Sequence, residues 1–307
     1  MTEKKWVTVM GSFVADLAFR TGRIPVWGET LMGNEFKLGP GGKGSNQAVA
    51  AARAGGRVSF ISKLGSDPFG EMARALYKTE GIDTQFLFAT KSATGAAAII
   101  VDAEKGENAI IVVPGACFEI TAAEVDKARS LIAGSCVFIA QLELSLPVVE
   151  HGLALARALG VPTILNPAPA TPLPESIYQY IDYITPNETE AAALTSVPVA
   201  TVVDAEKAAD AFLARGVHNA IITLGAQGAF VKNARVKAHV PAVNAGKVVE
   251  TTGAGDAFNG GFAVALSEGM GLVEAVRFGC AAAGISITRP GTAPSMPTRS
   301  EIDALRN

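Results

Sequence analysis

The segment Thr251-Thr252-Gly253-Ala254-Gly255-Asp256-Ala257-Phe258-Asn259-Gly260-Gly261 puts an acid just past a glycine-rich turn that opens an apolar run. The first N–H groups of a helix have no partner within it, so such a turn can hold an anion. Asp256 falls in the first turn, where the helix dipole and the free N–H groups favour an ionised carboxylate. An anion hole beside a carboxylate suits phosphoryl transfer to an alcohol. The base takes the hydroxyl proton, and the donors stabilise charge on the group in flight. The same residues also suit an ordinary acid capping its helix, and spacing alone does not separate the two readings.

A second stretch, Gly39-Pro40-Gly41-Gly42-Lys43-Gly44-Ser45-Asn46-Gln47, contains Gly39-x-Gly41-x-x-Gly44. A dinucleotide fingerprint of that form follows the first core strand and has an acid ~20 residues on. Here the first apolar strand ends at Gly11 and continues into Ser12-Phe13-Val14-Ala15-Asp16, not into a helix. A phosphate-loop reading also fails, because Gly44 rather than Ser or Thr follows Lys43. What remains is a turn with bare N–H groups, a lysine and Asn46. It can bring backbone close to a small polar ligand, or simply reverse the chain. In Pro186-Asn187-Glu188-Thr189-Glu190, Asn187 and Glu190 stand at i and i+3 on one helix face. The pair could hold a hydrated Mg²⁺ with substrate phosphates, although locally a capping box explains it better. Ile222-Thr223-Leu224-Gly225-Ala226-Gln227-Gly228 reads as a strand ending in a glycine turn, either a ligand-binding strand end or a plain hairpin. His151, His218 and His239 lack metal-ligand spacing, and no Gly-x-Ser-x-Gly elbow occurs.

Alternating apolar and amphipathic runs indicate the elements that position these turns. Strands are expected at Trp6–Met10, Val58–Leu64, Ser135–Gln141, Thr163–Asn166, Tyr183–Thr185 and Ala220–Leu224. Most are continuous Val/Ile/Phe runs, as in strands covered on both faces. Helices are expected at Ser45–Ala54, Pro68–Glu80, Thr121–Ala133, Pro147–Leu159, Glu188–Leu194, Asp204–Arg215, Gly255–Ser267 and Leu272–Thr288. Thr121 with Glu124 spells a capping box, and Pro68 and Pro147 sit at first-turn positions. The rhythm predicts a parallel sheet flanked by helices. Residues 12–38 and 92–113 break it, reading as strands without helices. The second holds Gly95–Val101, a turn over Glu104–Asn108, and Ala109–Val113, a hairpin signature. A small inserted sheet makes a natural lid over a cleft.

Composition narrows the classes. The chain has 307 residues, 49% hydrophobic and 18% charged, which excludes wholesale disorder. Its 26 basic and 29 acidic residues give a net charge of −3, so no basic field invites nucleic acid. Cys117, Cys136 and Cys280 have no paired spacing and read as free thiols in a reducing compartment. No apolar run approaches the ~20 residues that span a bilayer. Met1–Lys5 leads into the first strand without a cleavage signal. A soluble cytoplasmic protein without membrane or nucleic-acid partners is expected.

In wording and order these stretches resemble the ribokinase (PfkB-type) family of carbohydrate kinases, from Gly11 to about Ile302. Gly41-Gly42-Lys43-Gly44-Ser45-Asn46-Gln47-Ala48 is similar to its first signature, and Thr252-Gly253-Ala254-Gly255-Asp256-Ala257-Phe258 to its second. Asn187-Glu188-Thr189-Glu190 matches its Asn-x-x-Glu motif, and Asn166-Pro167-Ala168-Pro169-Ala170 and Ile222-Thr223-Leu224-Gly225 are also close. The resemblance implies one α/β kinase domain over residues 1–307. Its Rossmann-like, mostly parallel sheet would carry helices on both faces and a small β-sheet lid through which a homodimer forms. It implies ATP-dependent transfer to the primary hydroxyl of a pentose, ribose to ribose 5-phosphate first, with Mg²⁺ and K⁺. Asp256 would be the general base, and Gly253, Ala254 and Gly255 the anion hole. Asp16, Gly42, Lys43, Asn46, Glu143 and Asp256 would meet the sugar. Asn187, Thr223, Gly225, Gly228, Gly255 and Cys280 would meet the nucleotide. Glu190 would bear on Mg²⁺ and the phosphates, and Glu250, Thr252, Ser286, Arg289, Gly291 and Ser295 on the monovalent cation.

Two residues depart from that pattern. Val14 stands two residues before Asp16, where an Asn is usual. An unpaired buried polar group costs about 1–3 kcal/mol, so an apolar residue there suits a sugar lacking one hydroxyl. 2-Deoxyribose, another furanose or ketose, or a nucleoside is the rival acceptor. Glu250 stands where Asp is usual, one methylene longer, and implies weaker or altered K⁺ activation. A non-catalytic sugar or nucleotide sensor would have no need of Asp256. An NAD-dependent dehydrogenase rests on the glycine fingerprint alone.

Overall fold

The computed structural model describes residues 6–102 and 108–306. The turn expected over Glu104–Asn108 lies, but for Asn108, outside the described residues, as do the N-terminal five residues. The chain begins with β1 (Trp6–Met10), β2 (Val14–Thr21), β3 (Glu35–Gly41), α1 (Lys43–Arg53), β4 (Arg57–Gly65), α2 (Pro68–Glu80) and β5 (Leu87–Thr90). There follow β6 (Thr94–Asp102), β7 (Asn108–Gly115), α3 (Ala122–Lys127), α4 (Arg129–Ala133), β8 (Ser135–Gln141), α5 (Leu146–Ala158) and β9 (Thr163–Asn166). The remainder is β10 (Tyr183–Ile184), α6 (Glu188–Thr195), α7 (Val202–Ala214), β11 (Asn219–Thr223), β12 (Ala229–Lys232), β13 (Lys237–Val240), α8 (Ala254–Ser267), α9 (Leu272–Ser286) and α10 (Arg299–Arg306).

A nine-stranded sheet runs β13-β12-β11-β10-β9-β8-β1-β4-β5. It is parallel from β5 to β11, and β12 and β13 add an antiparallel edge. The continuous apolar runs have the expected cause, burial on both faces. Along β8, Val137 and Ile139 face one core with α1, α8 and α9, while Phe138 and Ala140 face a second core with α3 to α5 and α7. Among the described residues no helix is long and apolar enough to cross a membrane.

The two irregular segments form a separate four-stranded sheet, β3-β2-β6-β7, as expected. Its outer pairs are antiparallel and β2 pairs β6 in parallel. Two expectations need correction. The helix expected over Thr121–Ala133 is two, broken at Ala128. There the Ala128 N–H reaches back only to the Val125 carbonyl, and this tighter turn buries Val125, Ala128 and Ile132 in one core. The last long helix ends at Ser286, and its continuation becomes a loop over residues 287–298. The glycine turn after β11 is indeed a hairpin, joining β11 to β12.

Helices α1 and α8 cross with almost no space between them. A Cβ at Gly260 would lie 2.7 Å from the Ala51 nitrogen. One turn back on each helix, this crossing presses Asp256 against Asn46 and Gln47. Tertiary packing, not the local turn, thus decides what surrounds the acid.

Candidate active site

The turn from β3 into α1 owes its shape to two glycines. A Cβ at Gly41 would overlap the Asp16 carboxylate, and Gly42 has φ 88°, a left-handed conformation open to glycine. Asp16 therefore lies directly beneath the turn. The α1 N-terminus is not left bare. Glu143, two residues beyond β8, accepts the Lys43 N–H at 2.8 Å and a short hydrogen bond from the Ser12 hydroxyl. Around Asp16 the small sheet is stripped of bulk: Val14 pairs with Gly41 and Gly95, and Asp16 with Gly39 and Ala97. Directly paired residues share a face, so Val14, Asp16 and these small residues form one closely packed floor.

Asp256 is 6% exposed and lines a cleft with Lys43, Asn166, Thr185, Asn187, Glu190, Thr223, Gly253, Gly255 and Asn259. It does not cap its own helix. Its two oxygens accept instead from the Asn46 and Gln47 side-chain amides, each at 3.0 Å. The local dipole argument expects a carboxylate held readily ionised. In the fold, burial raises the Asp256 pKa, opposed by the Lys43 charge and the two amide donors, with Glu143 adding to the rise. A carboxylate of raised basicity that keeps donors on both oxygens is a competent proton acceptor.

The other charged groups around the cleft are coupled to it. Burial works against the Lys43 charge, but Asp256, Glu143 and Glu190 outweigh it and raise its pKa. Burial raises Glu190, against the Asn187 N–H and Lys43. Asp16 is pushed up to about 6, by burial first and then by Glu143, Asp256 and Glu250, while a Thr292 hydrogen bond holds it down.

Asn187 and Glu190 do form the capping box. One Glu190 oxygen accepts the Asn187 N–H at 2.9 Å, and the residue also lines the cleft, so the bland and the functional readings coincide. Thr223 lines the same cleft, and Gly225 and Gly228 shape the turn just beyond it. Cys280 lies on α9 in the apolar core, apart from the cleft wall, and burial pushes its thiol up to about 12. Glu250 accepts the Gly291 N–H at 2.9 Å, and the Ser286 carbonyl accepts from the Arg289 N–H. Arg289 pairs through its side chain with Glu301, and the buried Ser295 hydroxyl donates to the Thr292 carbonyl. Thr292 packs beside Gly253 and reaches Asp16, so this loop meets both the turn and the floor. Thr252 and Ala254 flank Gly253 at the mouth of α8.

Site residues missed at the level of sequence are Asn166, Thr185 and Asn259, all in the cleft wall, and Gln47 and Gln141 behind it. One signal was available: Asn166 and Thr185 are polar residues at the carboxyl ends of apolar strands, where α/β sheets bind ligands.

Comparison with known proteins bears on the fold and the family. The family model described as pfkB family carbohydrate kinase matches residues 4–299. The chain is 42% identical over 298 residues to a ribokinase of Haemophilus influenzae, covering 97% of each chain. It is 36% identical to a deoxyribokinase of Salmonella typhi, covering 95% of each. The solved structure of Arabidopsis thaliana ribokinase complexed with ribose and ATP superposes with a TM-score of 0.93 at 30% identity, covering 99% of each chain. Family match, sequence identity and superposition all run over nearly the whole length, and the chain belongs to the pfkB family of carbohydrate kinases.

Proposed function

We propose that this kinase transfers the γ-phosphoryl group of ATP to the primary hydroxyl of ribose, giving ribose 5-phosphate and ADP. The observation that carries the reading is Asp256. It is a buried carboxylate bound by amide donors rather than by its own helix, at a cleft beside the Gly253–Gly255 turn. In this reading Asp256 takes the hydroxyl proton, and the N–H groups of Gly253, Ala254 and Gly255 stabilise the charge that moves with the phosphoryl group, that of Ala254 turning to it from the Thr251 carbonyl, to which it donates at 3.2 Å. Lys43 balances the carboxylates around it. The sugar lies on the floor below, against Asp16, Gly42 and Glu143. Asn46 supports this placement: its amide N–H₂ is used by Asp256, and its buried Oδ1 has no partner. An orphaned acceptor beside the base suits a substrate hydroxyl. The nucleotide lies toward Asn187, Thr223, Gly225, Gly228 and Gly255, with Cys280 behind. Closing the small sheet over the cleft excludes water, the competing acceptor.

Mg²⁺ keeps several waters and takes one or two carboxylates plus phosphates. That fits Glu190, one of whose oxygens is left over from the cap, and no larger acidic cluster is needed. When bound, the ion supplies charge neutralisation on the phosphates. Glu250, Thr252, Ser286, Arg289, Gly291 and Ser295 would hold a monovalent cation. One Glu250 oxygen is already engaged by Gly291, so we expect weak K⁺ activation. Titrating the ADP-release rate with KCl should give a higher half-saturation for this chain than for its Glu250→Asp variant. Equal values overturn the expectation.

A second acceptor is favoured by Val14, which shares the Asp16 face and is 4% exposed. It offers a sugar hydroxyl no partner. ADP release measured over ribose, 2-deoxyribose, fructose and nucleosides tests both readings. Ribose is expected to have the highest kcat/KM. A 2-deoxyribose preference of about 5-fold or more, the lower end of what one lost buried hydrogen bond is worth, would transfer the reading to 2-deoxyribose. Absence of stimulation by any sugar would remove the kinase reading.

The far face of the small sheet supports a homodimer. Phe36, Leu38, Ile111 and Val113 are 46–67% exposed there, and Phe19 packs on Phe36. Contiguous apolar patches of this kind mark interfaces. Ile111→Lys is expected to give monomers in sedimentation where the parent chain gives dimers, and a monomeric parent defeats the idea. The free Cys117, Cys136 and Cys280 support a reducing, cytoplasmic setting.

A further inference from the structure

We propose that Gln47, held in one orientation by Gln141, is a positioning residue for Asp256, through a closed ring of hydrogen bonds, buried except where it meets the Gly255 carbonyl, that makes the base and the anion-hole turn one unit. The proposal rests on the reading of Asp256 as the base. The ring can be followed atom by atom. Gln47 Nε2 donates to Asp256 Oδ1 and to Asn166 Oδ1, both at 3.0 Å. Asn166 Nδ2 donates to the Thr185 carbonyl at 3.0 Å, and the Thr185 hydroxyl donates to Asn259 Oδ1 at 2.7 Å. Asn259 Nδ2 donates to the Gly255 carbonyl at 2.8 Å, which returns the ring to the residue before Asp256. Helices α1 and α8 and the ends of β9 and β10 are joined by it.

Every amide in the ring has a defined sense. The Thr185 and Gly255 carbonyls can only accept, so Asn166 and Asn259 must turn their N–H₂ groups toward them. That leaves Asn166 Oδ1 facing Gln47. A reversed Gln47 would set its oxygen against both Asp256 and Asn166. Gln141 secures the correct sense by donating Nε2 to Gln47 Oε1 at 2.7 Å. It does so although its own Oε1 is buried without a partner. A buried orphan acceptor lowers stability, and its retention beside the base fits a positioning role.

The consequence is electrostatic. N–H donors to a carboxylate favour its charged form. Charged groups that face Asp256 from the packed elements are Lys43 of α1, Asp16 of β2, Glu143 after β8 and Glu190 of α6. Asn46 and Gln47 are the neutral donors among them, and Gln47 is the one the ring orients. Removing it should raise the pH at which the base becomes active.

The test uses Gln47→Leu, Gln141→Met and Asp256→Asn in the full chain. Gln47→Leu is expected to move the acidic limb of kcat/KM upward by about one pH unit, so that activity falls about tenfold more at pH 6 than at pH 9. Gln141→Met, which keeps volume, should shift it less and in the same direction. Sugar and ATP dissociation constants should stay within about threefold of the parent, well under the tenfold that one ordinary contact can carry. A pH-independent loss, or unchanged profiles in both glutamine variants, overturns the ring. If Gln47→Leu does not fold, Gln141→Met alone decides. If Asp256→Asn turns over normally, the base reading falls first. If it is inactive while the glutamine variants titrate like the parent, only the positioning proposal falls.

Discussion

Asp256→Asn is expected to lower kcat by about 10²–10⁴-fold, the usual worth of a positioned general base, while sugar and nucleotide still bind. The substitution keeps the volume of the side chain. It loses the proton acceptor and leaves one of two amide donors, Asn46 or Gln47, facing an N–H₂ group. The fold does not depend on this acid as a cap, because its oxygens make no bond to the first turn of α8. Burial raises the Asp256 pKa, so exchange for a neutral amide removes a charge the interior disfavours. The variant should melt no lower than a degree or two below the parent, an effect of under about 1 kcal/mol for a chain of this size. Calorimetric titration with ribose and with a non-hydrolysable ATP analogue reports binding, and coupled ADP release reports turnover. Turnover within about tenfold of the parent, under the usual range for a base, would show that another group accepts the proton.

How much was legible in the sequence follows from which forces are local. β9 matches its expected bounds residue for residue, because a short Ile/Leu run between turns has no better use than a doubly covered strand. The Thr121 and Asn187 caps are also local, each written within four residues. Asp256 shows the limit. Its place in the first turn was readable and points to an ionised acid. The crossing of α1 over Gly260 buries it and reverses the direction of its pKa. Gln141 and Gln47 are 94 positions apart, and nothing in their spacing suggests that one orients the other. The two edge strands beyond the glycine turn of β11 escaped notice for another reason. β12 and β13 are four residues each, and Lys232, Lys237 and His239 dilute their apolar signal, as befits strands at a solvent edge.

Asp16→Asn should make the sugar-free protein more stable at neutral pH and its sugar binding much weaker. The carboxyl is pushed from 3.8 up to about 6 by burial and by neighbouring Glu143, Asp256 and Glu250. An acid with a raised native pKa binds more protons when folded than when unfolded. Stability therefore falls as pH rises through the window from 3.8 to about 6, and the full deficit remains above it. Asn carries no charge, so the deficit disappears, and the melting temperature at pH 7.5 should rise by roughly 2 °C or more. Below pH 4 the two proteins should melt alike. Sugar binding moves the other way. A hydrogen bond to a charged group is worth about 1.5–3 kcal/mol, so KM for ribose should rise by roughly 10- to 150-fold, with KM for ATP little changed. In the parent chain KM for the sugar should climb as pH drops below about 6, because the protonated acid accepts less well. In the variant that climb should vanish. Melting curves and sugar KM measured from pH 4 to 8 separate the two effects. A variant less stable than the parent at pH 7.5, or a sugar KM independent of residue 16, contradicts a carboxylate strained by its neighbours and held in place for a hydroxyl.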